Sequence, residues 1–124
     1  MKNTINKVES YEIIGYCFEV HNNLGAGFLE VVYKDALEYE FRTNNILFER
    51  EVKYDVNYKG VILPHKFYAD FVICNKIILE VKAVSALANE HIAQTINYLK
   101  VSGLRLGLLV NFGEQRLHYK RLVL

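Results

Sequence analysis

Two runs rich in β-branched and aromatic residues, His65–Cys74 and Lys76–Val81, flank a single asparagine, Asn75. The pattern reads as a β-hairpin with Asn75 in its turn. Loop length then governs the rest, because strand side chains alternate faces and a slip of one residue sends them all to the other side. An even loop would pair Asp70 with an odd-numbered partner and turn it away from Glu80. An odd loop, Cys74-Asn75-Lys76, sets Asp70 opposite Glu80, and this is the register expected. Opposed residues have Cβ atoms about 4.5–5.5 Å apart, a separation that suits two carboxylates sharing one hard cation through oxygen ligands. Glu80 and Lys82 share a face, roughly 6.6 Å apart at about 3.3 Å per residue, while Val81 points away.

The remaining segments can be placed around this hairpin. A first helix is expected from about Val8 to Asn23, with Tyr11, Ile14, Phe18 and Val20 as its apolar stripe and Leu24-Gly25-Ala26-Gly27 as its end. A second runs from about Phe28 to Thr43, with Leu29, Val32, Tyr33, Ala36, Leu37 and Phe41 recurring at threes and fours. Glu30 falls in its first turn, where the positive end of the helix dipole favours a charged carboxylate; capping or solvation would place an acid there too. Ile46, Phe48, Val52, Tyr54, Val56 and Tyr58 alternate with polar residues, a half-exposed strand turned by Lys59-Gly60. Pro64 cannot donate to a ladder, so the following strand should begin at an edge or after a bulge.

From Ser85 to Ser102 the spacing is helical again, with Gln94 and Tyr98 one turn apart on one face and Gly103 as the stop. His91 borders that patch, but no paired histidine supports a ligand role. Leu104–Asn111 reads as a buried strand and Arg116–Val123 as an alternating one, with Gly113 between them. The order is α-α-β-β-β-α-β-β, an α/β class with a mixed sheet flanked by helices. A helix between Lys82 and Leu104 allows a crossover that lays the fourth strand parallel to the third.

The 124 residues, just over half of them apolar, suffice for one core, so residues 1–124 are expected to form a single domain. A net charge of +1 argues against nucleic-acid binding by bulk electrostatics, although Lys100, Arg105, Arg116, His118, Lys120 and Arg121 concentrate positive charge late in the chain. The two cysteines, Cys17 and Cys74, fit no metal or redox spacing and read as buried free thiols. No apolar run approaches a membrane span or signal core, so no membrane partner and a cytoplasmic location are expected.

Three motifs occur in order: Gly27-Phe28-Leu29-Glu30-Val31-Val32-Tyr33 as G-x-x-E-x-x-Y, Asp70 with Glu80-Val81-Lys82, and Gln94-Thr95-Ile96-Asn97-Tyr98 as Q-x-x-x-Y. Together they resemble the GxxExxY family of the PD-(D/E)xK nuclease superfamily, similar to its RecB-like and lambda-exonuclease-like members. Ala69 stands where the superfamily's proline would be. The resemblance implies a restriction-endonuclease-like core and a magnesium- or manganese-dependent nuclease acting on nucleic acid, DNA foremost. By the same resemblance, Glu30, Asp70 and Glu80 would hold the metal and Lys82 would be the catalytic lysine. Gln94, Tyr98 and Tyr33 would lie on the substrate side, although Tyr33 could equally pack in the core. A catalytic core this short leaves a homo-oligomer or a protein partner open. The competing reading is a non-catalytic domain that keeps the fold and binds nucleic acid or protein; surface ion pairs alone would be a third.

Overall fold

The computed structural model describes residues 2–124, with side chains from Glu9 onward. Two helices, α1 (Lys2–Leu24) and α2 (Glu30–Thr43), precede the strands β1 (Phe48–Tyr58), β2 (Val61–Ile73) and β3 (Ile77–Lys82). Helix α3 (Asn89–Ser102) then leads to β4 (Leu106–Asn111) and β5 (His118–Val123). The strands form one sheet in the order β1-β2-β3-β4-β5, antiparallel except for the β3–β4 pair, which is parallel across α3. This is the mixed α/β arrangement expected, and it has the restriction-endonuclease-like form. Among the described residues, no helix is long and apolar enough to cross a membrane.

Turn chemistry sets the registers. Lys59 and Gly60 both have positive φ between paired Tyr58 and Val61, as a tight hairpin on a right-twisted ladder requires. In the next turn Cys74 and Asn75 take positive φ and Lys76 N–H donates to the Ile73 carbonyl. Ile73 then faces Ile77, Val72 faces Ile78 and Phe71 faces Leu79: the odd loop. Between Asp55 and Asn57 the β1–β2 register shifts, with Pro64 in the extra length of β2, as its missing N–H demands.

Helices α1 and α2 close one core, in which Ile13, Cys17, Tyr33, Leu37 and Phe41 meet Phe71, Leu79, Val81, Leu108 and Phe112. Helix α3 closes a second through Tyr98 and Leu99, against Ala69, Val72 and Ile78. Several sequence expectations are corrected here. The buried stripe of α1 is Ser10, Ile13, Ile14, Cys17, Val20 and His21, while Tyr11 is 64% exposed and Phe18 lies edge-on to Tyr119 at the sheet margin. The stripe is centred on Cys17, which is fully buried, rather than on the aromatic letters. Leu29 precedes α2 and is 76% exposed rather than part of its buried stripe. Cys17 is buried, but Cys74, in the hairpin turn, is only partly so.

Strand β1 does not keep one apolar face. Phe48, like Ile46 just before the strand, packs with the α1/α2 core, whereas Val52 and Tyr54 pack with the α3 core. The change occurs at Glu51, whose φ of 55° rotates the chain where the ladder passes from Arg50↔Phe71 to Val52↔Ala69. By that register Glu51 lies opposite Asp70.

Candidate functional site

The β2–β3 ladder ends at Phe71↔Leu79, and the next pair, Asp70 and Glu80, replaces backbone pairing with side chains. Asp70 N–H donates to Glu80 Oε2 at 2.7 Å, and Val81 N–H donates to Asp70 Oδ2 at 2.8 Å. The two carboxylates therefore lie between the strands, each fixed by the other strand's backbone. Both residues are buried. Burial, and then the neighbouring Asp70 charge, push the Glu80 carboxyl well above the usual carboxylate range.

Glu30 enters from the first residue of α2. The dipole argument expects it to be ionised, yet burial and the Asp70 charge raise its pKa, with Lys82 and Lys34 pulling it back. Those influences show that Glu30, Asp70 and Lys82 share one electrostatic neighbourhood. Glu80 also feels Lys82 and Lys34. From the other side, Tyr98 on α3 has its hydroxyl pKa raised by burial and by the charges of Glu80, Asp70 and Glu51. Gln94 is exposed one turn earlier and donates to Tyr98 Oη at 3.4 Å, so that pair does share a face.

Tyr33 is placed elsewhere. Its ring stacks on Phe112 with centroids 4.7 Å apart, and it is fully buried. Its hydroxyl donates to the Gly25 carbonyl at 2.6 Å and accepts from Phe28 N–H at 3.1 Å. It ties down the loop that delivers Glu30 and offers no surface to a ligand. His91 likewise serves its own helix, since its Nδ1 accepts the Ala88 N–H at 2.9 Å and so caps α3.

Two site residues escaped the sequence reading. Lys34 Nζ lies 2.9 Å from Asp70 Oδ1 and also pairs with Glu51. Lys34 stands four residues after Glu30, hence on the same helix face, a spacing that could have flagged it. Glu51 gave no signal, since its position depends on a backbone angle no residue letter encodes. Burial pulls the Lys34 ammonium toward neutrality, but hydrogen bonds to Glu51 and Asp70 and their charges outweigh it and raise its pKa.

Asn111 secures the far end of β3. It pairs with Lys82 in the parallel ladder, is fully buried, and accepts Val84 and Gly113 N–H while donating to the Val84 carbonyl and Glu114 Oε2. A Cβ on Gly113 would lie 2.3 Å from the Val84 carbonyl oxygen, so this crossing requires glycine. These contacts anchor the chain after Lys82, which bends at residues 84–86 before α3 begins at Asn89, four residues later than its apolar spacing suggests.

Among the described residues, no three acid, histidine or cysteine side chains form a ready cation cage. The donor chemistry nonetheless fits a hard divalent ion. Asp70 and Glu80 are buried oxygen donors whose crowded charge an ion would relieve, and Glu30 adds to that excess. What stands against Asp70 instead is the Lys34 ammonium.

A family model described as the PD-(D/E)XK nuclease superfamily matches residues 7–122. A crystal structure of SSO0001 is similar at a TM-score of 0.61 and 25% sequence identity, over 76% of this chain and 50% of that one. The chain thus spans half the length of that protein. No curated protein matches the sequence.

Proposed function

The chain belongs to the PD-(D/E)XK nuclease superfamily, and from that membership we propose that it is a metal-dependent nuclease hydrolysing phosphodiester bonds of nucleic acid, most naturally DNA. The observation that carries this reading is the Asp70–Glu80 interlock, with Glu30 and Lys82 within its electrostatic reach. Asp70 and Glu80 would hold a magnesium or manganese ion, with Glu30 reaching it directly or through water. When bound, such an ion supplies charge to polarise the scissile phosphate and acidify an attacking water. Lys82 would orient that water and offset charge developing on the phosphate. Gln94 and Tyr98 would line the substrate side. Tyr33 would act one step back, by holding the loop before Glu30.

Within the superfamily, the ordered motifs favour the GxxExxY family and its RecB-like and lambda-exonuclease-like relatives. The 124 residues would act as one nuclease-like domain, alone, as a homo-oligomer or with a protein partner. Free cysteines and a nucleic-acid substrate suit a cytoplasmic setting.

One observation favours a second reading, a non-catalytic domain that binds nucleic acid or protein: Lys34 already neutralises Asp70. Cleavage of single-stranded and duplex DNA with Mg²⁺, with Mn²⁺ and with EDTA separates the two. The nuclease reading expects ion-dependent cleavage that falls by about 10²-fold or more in Lys82→Ala. Cleavage by neither protein would favour the binding domain, and equal cleavage by both would point to a contaminant or to another site.

A further inference from the structure

Lys34 is the one buried lysine among the described residues, and neither the motifs nor the proposed chemistry calls for it. Its ammonium touches Asp70 Oδ1. The other Asp70 oxygen is committed to the Val81 N–H, and Glu80 Oε2 to the Asp70 N–H. Oδ1 is therefore the outward oxygen of the interlock, and Lys34 stands on it. The second partner, Glu51, is fixed opposite Asp70 by its positive φ, and its side chain is half exposed.

We propose that Lys34 is a built-in competitor for the divalent cation, occupying Asp70 in the ion-free protein and swinging toward Glu51 and solvent when an ion enters. This rests on the reading of Asp70 and Glu80 as ligands. Two cations cannot share Oδ1 closely without strong repulsion in a site so poorly hydrated. The lysine stem is flexible and Glu51 reaches water, so the ammonium has a paired place to which it can retreat. Like-charged neighbours raise the need for a counter-cation while no ion is present, and the same ammonium then weakens ion binding. The device would keep the acids folded and paired until the ion concentration is high enough to displace it.

Mn²⁺ binding, read from loss of the free-ion electron paramagnetic resonance signal, would be measured for wild type, Lys34→Met and Asp70→Asn. Methionine keeps much of the stem without its charge. The expected result is at least about tenfold tighter Mn²⁺ binding by Lys34→Met than by wild type, with binding lost in Asp70→Asn. Equal or weaker binding by folded Lys34→Met, with Asp70→Asn still abolishing it, would overturn the competition and leave the site reading intact. Binding by none of the three, or undiminished binding by Asp70→Asn, would overturn both. Should Lys34→Met not fold, acetylation of Lys34 in wild type, followed by mass spectrometry of its peptide, gives the answer. Saturating Mg²⁺ should speed it several-fold; an unchanged rate with the ion bound would overturn the proposal.

Discussion

Asp70 and Glu80 clasp one another across two strands, the Asp70 N–H on Glu80 Oε2 at 2.7 Å and Asp70 Oδ2 receiving the N–H of the residue after Glu80 at 2.8 Å. Each carboxylate takes the place of a ladder carbonyl. Their separation is thus set by backbone geometry, which holds two acids together despite their mutual repulsion. Holding two buried carboxyls this close carries an electrostatic cost, which falls on Glu80.

That cost makes stability depend on pH. The folded Glu80 pKa is raised by burial and by Asp70, so ionising Glu80 penalises the folded state. Below the unfolded value of about 4.3 the carboxyl is protonated in both states. As pH rises toward the folded value, the unfolded chain releases its proton first and stability falls; the loss is complete once both states are ionised. In EDTA, the wild-type melting temperature should drop more between pH 5 and pH 8 than that of Glu80→Gln. Parallel profiles would mean that Glu80 titrates normally.

Tyr33→Phe should destabilise the protein by about 1–3 kcal/mol, because the Gly25 carbonyl and the Phe28 N–H both lose their partner while the stacked ring remains. Urea unfolding measures this. A substrate-side tyrosine would behave differently, weakening nucleic-acid binding at unchanged stability.

Gly113→Ala should cost roughly 1–3 kcal/mol, and more if the backbone cannot shift, since the new Cβ would meet the Val84 carbonyl oxygen at 2.3 Å. Relief would have to move the segment just after Lys82, so cleavage should fall along with the melting temperature. Wild-type activity in a folded Gly113→Ala would show that Lys82 does not depend on this crossing.

Gln94 is exposed and makes one long hydrogen bond, to Tyr98. Gln94→Ala should change stability by no more than about 0.5 kcal/mol, yet weaken binding of a fluorescent single-stranded oligonucleotide several-fold. Unaltered affinity would remove α3 from the substrate side.

Asn75 and the two β-branched and aromatic runs around it were enough to place Asp70 opposite Glu80, because hairpin register is a local matter of turn length and side-chain period. The same locality made legible the α2 start near Glu30, the Gln94–Tyr98 face and the bulge at Pro64. What the letters could not carry was set by contacts distant in sequence. Lys34 meets Asp70 from 36 residues away, Asn111 holds Val84 from 27 residues away, and a single positive φ at Glu51 sends the two halves of β1 to different cores. Tyr33 was drawn inward by Phe112, a stacking partner that enters the chain only after β4. Local periodicity determined that Asp70 faces Glu80; only the packed chain decided which ammonium stands on Asp70, since that depends on where α2 comes to rest against the sheet.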